Sequence, residues 1–576
     1  MKKLALILLF FSFISLATVH SQEVPSPGEK EGHPKIESAL FKLQQRRLFQ
    51  GRASAQAFRQ RPGLKIDDQD RVTVFILPKA GKKRESIGIE TLKAYGGEVV
   101  KNGRSVIKAK VPVLFLDLIA DHVEGIGFIK PPDRPYIEVM SEGVNLTGAS
   151  LYQASGYAGQ DTKVAIIDLG FADLSATISA GVLPPTVVKI DCTGERCVFT
   201  DFAFEEESHG TAVAEIVHEM APSAQLYLIK IEDSLDLKNA KEFCIDNGIR
   251  IVNHSAGWFN VNFYDGACYH DNPVCTANQA YENGILWANS AGNHARKHYG
   301  AAFSDQDGDG RHDVAPDSNF ISLHASKGEA IGAMLTWDAW PATDQDYDLL
   351  LFDSSMALVD ASTSVQSGTQ PPVEEVYYVA PASGTYYLSV KKSRATLNHR
   401  FSIFTFSHDL NPYVLSESLL SPADAAGVMA VAAVNSARWL TGPQESFSSQ
   451  GPTTDGRMKP EISGPDGVSS FVYGSFGGTS AASPHVAGAA ALILSNNTTF
   501  TVDQLWDALT SSAIDLGPDG QDQAYGSGRL NLSTVFADPA SVDFGGVIVG
   551  ISVEKVIAIQ NIGSPDLTIG PVAAPA

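Results

Sequence analysis

The sequence predicts an α/β fold, a parallel sheet flanked by helices, with a small α+β module ahead of it and a β-sandwich inserted into it. Three observations carry that prediction. From about residue 141, short apolar strands alternate with helical stretches, the pattern of a parallel sheet covered by helices. Between about 326 and 410 the alternation gives way to short strands separated by turn residues, and from about 420 to 536 it resumes. A chain of 576 residues is also too long for one core, so several modules are expected.

The chain opens with Lys2 and Lys3, an apolar run from Leu4 to Leu16, and Val19-His20-Ser21. This is the form of a signal peptide over 1–21. An uncleaved membrane anchor is the alternative, but the run is short for a bilayer span of about 20 residues, and no later stretch reaches that length. Residues 22–65 are rich in Gln, Arg, Lys and Pro without a long apolar period, and are expected to be loosely ordered. Strands at 71–77 and 104–111 and a helix at 113–122 then suggest an α+β module over about 70–132.

In the α/β region, strands are predicted at 164–167, 226–229, 249–253 and 285–288, continuously apolar as strands buried on both faces are. A helix is expected at 237–247. The two α/β segments are placed at 141–325 and 411–536, with the sandwich at 326–410 between them. From Ser541 another β pattern begins within 537–576, too short to close a sandwich, so the chain is expected to be a fragment of a longer product; the pattern resembles bacterial immunoglobulin-like repeats and implies a partial immunoglobulin-like β domain.

Composition narrows the function. Hydrophobic residues make up 44% and charged residues 19%, the balance of globular protein. A net charge of −22 gives a surface that repels phosphate, which argues against nucleic acid as a partner. Five cysteines in an exported chain allow two disulfides and one free thiol. Local pairs Cys192–Cys197 and Cys268–Cys275 are the simplest arrangement, leaving Cys244 as a buried thiol in the helix at 237–247.

The chemistry is concentrated in three motifs. In Val164-Ala-Ile-Ile-Asp168-Leu-Gly170 a carboxylate stands at the carboxyl end of a buried strand, where open α/β sheets place their sites. Standing alone, such an acid would read as a turn or cap residue. In Ser208-His209-Gly-Thr-Ala-Val213 a histidine opens a helix whose stripe, Val213, Ile216, Val217 and Met220, has helical spacing. A histidine near a surface cap is the plainer reading. Gly477-Gly-Thr-Ser480-Ala-Ala-Ser-Pro484 is the most specific: paired glycines permit a tight turn into a helix that begins at a serine.

In these motifs, in the order Asp, His, Ser, the sequence resembles the subtilisin-like serine peptidases over about 141–325 and 411–536. The resemblance implies Ser480 as nucleophile, His209 as general base and then acid, and Asp168 as the carboxylate that orients it. Trp287-Ala-Asn-Ser-Ala-Gly-Asn293 resembles the family's oxyanion segment, making Asn293 a side-chain donor beside the Ser480 N–H. Val252-Asn-His-Ser255-Ala256-Gly257 resembles the strand that pairs with an extended peptide substrate, with Trp258 either walling a pocket or packing. Residues 71–132 resemble the family's inhibitory propeptides, which implies a propeptide over 22–140 that would act as an intramolecular inhibitor until cut off between about 130 and 145. The insertion resembles a pre-peptidase C-terminal domain.

No cofactor is expected for the chemistry. Asp305, Asp307, Asp309 and Asp313, with Gly310 at a turn, are spaced as in a calcium loop, but Pro316 stands where an EF-hand has its bidentate glutamate. The pattern suits either a structural calcium or a solvated acidic turn. Asp344, Asp346 and Asp348 are expected to form a polar edge leading into a strand.

The reading is therefore a secreted endopeptidase acting on extracellular, cell-surface or periplasmic proteins through an acyl-enzyme, with no membrane span after signal removal. A catalytically silent binding module with the same fold is the leading rival. An esterase is a weaker one, because the Gly-x-Ser-x-Gly elbow is absent.

Overall fold

The structure is a computed structural model that describes residues 32–57, 64, 66–67, 69–133, 135–136, 143–202, 206–532 and the paired strands 535–538 and 558–561. The predicted signal peptide and most of the tail from 537 lie outside the described residues, as does most of the stretch around the expected propeptide cut. No described helix is long and apolar enough to cross a membrane.

An eight-stranded sheet forms the centre, in the order Ile462–Asp466, Val428–Asn435, Leu286–Ser290, Ile251–His254, Lys163–Asp168, Gln225–Lys230, Val188–Asp191, Val198–Phe199. Its strands pair in parallel except for the last, which turns back on its neighbour. One face packs against the helices His209–Met220 and Thr479–Asn496, through Val213, Val217, Val486 and Ala490. The other face meets Ser234–Asp246 and Pro273–Glu282 around Trp287 and Val252. Burial on both faces explains why these strands read as unbroken apolar runs. The flanking helices start where their caps dictate: Asp233 accepts from Leu235 N and Asp236 N, and Asn272 accepts from Cys275 N ahead of Pro273. Cys192–Cys197 and Cys268–Cys275 are disulfide-bonded, and Cys244 is a buried free thiol.

The sandwich begins earlier than predicted. His298–Ala302 pairs with Arg400–Thr405, and Ile321–Ala325 pairs with Gly384–Lys392, so 298–325 belongs to the insertion and not to the first α/β segment. Its two sheets of four and five strands enclose Trp337, Tyr347, Leu349 and Phe401. The boundary was hidden because His298-Tyr-Gly-Ala-Ala302 alternates weakly and a long acidic loop follows it. Asp346 and Asp348 are buried, against the expectation of a polar edge, because Tyr347–Phe352 is covered on both sides; Asp344 remains exposed.

A four-stranded antiparallel sheet, Glu98–Asn102, Ile107–Pro112, Arg71–Pro78, Ile126–Lys130, forms the small module. The predicted helix at 113–122 starts as a 3-10 turn and becomes α-helical over Leu116–His122. Within the segment expected to be loosely ordered, Ser38–Ala57 is a helix. Leu40 and Leu43 give it an apolar stripe that is buried in this module's core, with Ile36 just before the helix buried beside them. So narrow a stripe in a basic, polar run left little periodic signal.

The module docks on the α/β body through charge and apolar contact together. Lys101 Nζ lies 2.6 Å from Asp236 Oδ1, and Lys108 Nζ lies 2.6 Å from Asp233 Oδ2, all four residues being buried. Beside them Phe75 and Val106 pack on Leu235.

Candidate active site

Asp168 ends its strand and His209 begins its helix, so the sheet and the helix that crosses it bring them together. Asp168 Oδ2 and His209 Nδ1 are 2.8 Å apart and both side chains are fully buried. The second carboxylate oxygen, Oδ1, accepts from Leu169 N at 2.8 Å, which fixes the carboxylate plane. His209 N donates to Glu207 Oε1 at 3.1 Å, and Phe476 meets the imidazole edge to face with centroids 5.8 Å apart.

Ser480 sits in the first turn of Thr479–Asn496, and Gly478 before it has φ +100°, a conformation that favours glycine. Its Oγ donates to Ser255 O at 3.1 Å. Pro484 lies inside this helix and cannot donate to the carbonyl four residues back. The Ser255 hydroxyl donates to that carbonyl, Ser480 O, at 2.7 Å, and Asn253 Nδ2 donates to Ser255 Oγ at 2.9 Å. Ser483 Oγ in turn donates to Asn253 Oδ1 at 2.7 Å.

Asn293 follows the strand Leu286–Ser290. Its Oδ1 accepts from both Thr479 N and Thr479 Oγ1 at 2.9 Å, which turns its amide nitrogen away from the threonine. Asp466 accepts from Gly478 N at 2.6 Å, and burial raises its carboxyl to about 6.

Beyond Ser255 the strand is anchored along its length. Ala256 O accepts from Asn289 Nδ2 at 3.1 Å. Gly257 and Trp258 pair antiparallel with Tyr136 and Pro135, and a Cβ on Gly257 would lie 2.5 Å from Leu420. Trp258 is fully buried and donates through Nε1 to His254 Nε2 at 3.2 Å, so it packs and does not wall a pocket. His254 donates through Nδ1 to Ile167 O at 2.8 Å, and burial lowers its imidazole to about 4. Thr479 and Ser483 stand inside the serine motif, Asn253 inside the 252–257 motif and Phe476 directly before Gly477, but the sequence assigns them no role, which appears only once distant strands meet.

The acidic loop is on the sandwich. Carboxylate oxygens of Asp305, Asp307 and Asp309 lie within 4.8 Å of one another. Asp305 accepts from Gly308 N and Gly310 N at 2.8 and 3.1 Å, and Asp309 accepts from Arg311 N at 2.8 Å. Asp313 is outside this group and caps Gln306 N at 2.6 Å.

Subtilisin of Bacillus pumilus is 44% identical over 111 residues, covering 19% of this chain and 38% of that protein. Bacillopeptidase F of Bacillus subtilis is 41% identical over 95 residues, covering 15% of this chain and 7% of that protein. The aligned region thus spans under two fifths of the subtilisin and a small part of the second relative. Among solved structures, the CspB protease of Clostridium perfringens aligns over 66% of this chain and 95% of its own at 16% identity and a TM-score of 0.48. The sequence profile described as the Subtilase family matches residues 159–333 and 300–528. By that match, which takes in the strand of Asp168, the helix of His209 and the turn before Ser480, this chain belongs to the subtilase family.

Proposed function

We propose that the chain is the precursor of a secreted serine endopeptidase that hydrolyses peptide bonds in protein substrates. The observation that carries this is the buried Asp168–His209 pair at 2.8 Å beside the helix whose first turn carries Ser480. In the proposed cycle Ser480 Oγ turns from Ser255 O toward His209 Nε2, gives it the proton and attacks the scissile carbonyl carbon. Asp168 holds the imidazole by Nδ1 and stabilises its charged form. Asn293 Nδ2 and the Ser480 N–H receive the oxyanion. His209 then returns the proton to the departing amine, leaving an acyl-enzyme. Water, deprotonated by the same imidazole, releases the acid and regenerates Ser480.

Residues 22–140 are read as the propeptide. The antiparallel pairing of Pro135–Tyr136 on Gly257–Trp258 supports this, because it lays the chain leaving the small module along the proposed substrate strand. The cut would then fall beyond Tyr136, within the expected window of about 130–145. No step requires a cofactor. A structural calcium held by Asp305, Asp307 and Asp309 is part of the proposal, and chelation should then lower the unfolding temperature without altering turnover in the cold.

Self-processing tests the reading. The purified chain should shorten to its mature form, and Ser480→Ala should accumulate uncut. Shortening of purified Ser480→Ala with no other protease present would contradict self-processing.

A further inference from the structure

The segment ahead of the small sheet touches two bodies at once. Residues 35–37 lie along the edge strand Ile126–Lys130: Ile129 N donates to Lys35 O at 2.8 Å and Glu37 N to Ile129 O at 2.9 Å. The helix Ser38–Ala57 then buries Leu40 and Leu43 in the core of the small module. Ser38 and Lys42, one turn apart, share a different face, and that face meets the inserted sandwich. Ser38 Oγ is 2.7 Å from Ser362 Oγ, and Lys42 Nζ is 2.6 Å from Asp360 Oδ1 while also donating to Ala361 O. Just before the helix, the Gln370 side-chain amide donates to Pro34 O.

The receiving notch is organised by the sandwich itself. Asp360 Oδ2 accepts from Tyr377 N at 2.9 Å. Ser362 Oγ accepts from Glu375 N at 3.0 Å and donates to Glu374. These bonds join the strands Leu358–Ser362 and Val373–Val379, so the polar groups that meet the helix are positioned without it. The Lys42 and Asp360 side chains are only 31% and 15% exposed, so the ammonium is partly desolvated against an acidic surface. The lysine contacts at Lys101 and Lys108 dock the same module on the catalytic body, at Asp236 and Asp233.

We propose that the inserted sandwich is a second docking surface for the propeptide: the notch of Asp360, Ser362 and Gln370 takes the segment carrying Pro34, Ser38 and Lys42, and holds the cleaved propeptide on the enzyme. The proposal rests on the reading of 22–140 as an inhibitory propeptide. Held at two surfaces by one folded module, the fragment leaves only when both contacts are open together, because each keeps the other at high effective concentration. The insertion therefore sets how long the enzyme stays silent after the cut.

The test uses the full-length chain with Lys42→Glu, Asp360→Lys and the combined exchange. Two things are followed: the lag between appearance of the cleaved band and peptide hydrolysis, and co-elution of the fragment with the mature enzyme. Each single change places like charges face to face and should shorten the lag about fivefold or more, and the combined exchange should restore it to within about twofold. Single variants with the wild-type lag, or a combined variant as fast as the singles, would overturn the docking role. A wild-type chain fully active at the moment of cleavage, with no fragment retained, would instead defeat the propeptide reading and the docking role with it. Unfolding temperatures of the same changes on a Ser480→Ala background separate weakened docking from misfolding. If Lys42→Glu fails to fold, Asp360→Lys carries the test from the sandwich side.

Discussion

The Ser255 hydroxyl donates to the carbonyl oxygen of Ser480 at 2.7 Å, across 225 positions of sequence. That carbonyl would accept the N–H of the residue four places on in a regular helix, but the residue there is Pro484. A strand-end serine thus replaces the missing helical donor next to the proposed nucleophile.

Ser255→Ala should leave that buried carbonyl without its donor and destabilise the chain by about 1–3 kcal/mol. The urea midpoint of an inactive Ser480→Ala background measures this free of self-digestion. An unchanged midpoint would mean that the carbonyl is satisfied in another way.

Asn293→Ala should lower kcat about 100- to 1000-fold with little change in KM, since its amide acts on charge that develops only in the transition state. Thr479→Val should have a smaller effect in the same direction, because Asn293 Oδ1 keeps the Thr479 N–H and loses only the hydroxyl. A raised KM with kcat unchanged would reassign Asn293 to substrate binding.

Much of this was legible in the sequence where chemistry and periodicity coincide. Asp168, His209, Ser480 and Asn293 each stand at the end of a strong apolar pattern, and the folded chain brings Asp168 to His209 and Asn293 to the residue before Ser480. The helix at 38–57 was not legible: its buried stripe is narrow, and the contacts of its Ser38–Lys42 face are to a strand more than 300 positions away. The start of the sandwich at His298 was missed for a related reason, since its partner strand at 400–405 lies across the whole insertion. Trp258 left two readings open, and only its buried bond to His254 decides between them.

The insertion is seated on the α/β body by an aromatic seam. Phe404, buried at 1% exposure, has ring centroids 4.9 Å from Tyr264 and 5.7 Å from Phe259, both of the α/β body. Phe404→Ala should therefore cost about 3–5 kcal/mol of stability. A loss well below 1 kcal/mol would show that the sandwich folds without leaning on the body beneath it.

Stability should fall as the solution is acidified. Burial lowers His254, His298, His312 and His485 to about 4 from an ordinary 6.5, so between those values the unfolded chain takes up protons that the folded chain refuses. Asp466, raised to about 6 by burial, works the other way, as does Asp236, raised by burial and by Asp233. His218, His270, His294 and His408 are lowered by burial as well, and Glu215, Asp265 and Glu461 raised by it, so the imidazoles still outnumber the carboxyls and the urea midpoint of the Ser480→Ala chain should be lower at about pH 5 than at about pH 7. A midpoint that rose on acidification would contradict the buried neutral imidazoles.

The central claim is that Ser480 is a nucleophile activated by His209. A fluorophosphonate probe tests it most directly, because it bonds covalently only to a serine whose hydroxyl is being deprotonated. The mature wild-type chain should take up one probe, located by peptide mapping at Ser480, while Ser480→Ala takes up none and His209→Ala reacts at least about 100-fold more slowly. Equal labelling of wild-type and Ser480→Ala chains, or no labelling of a folded mature chain, would contradict the account.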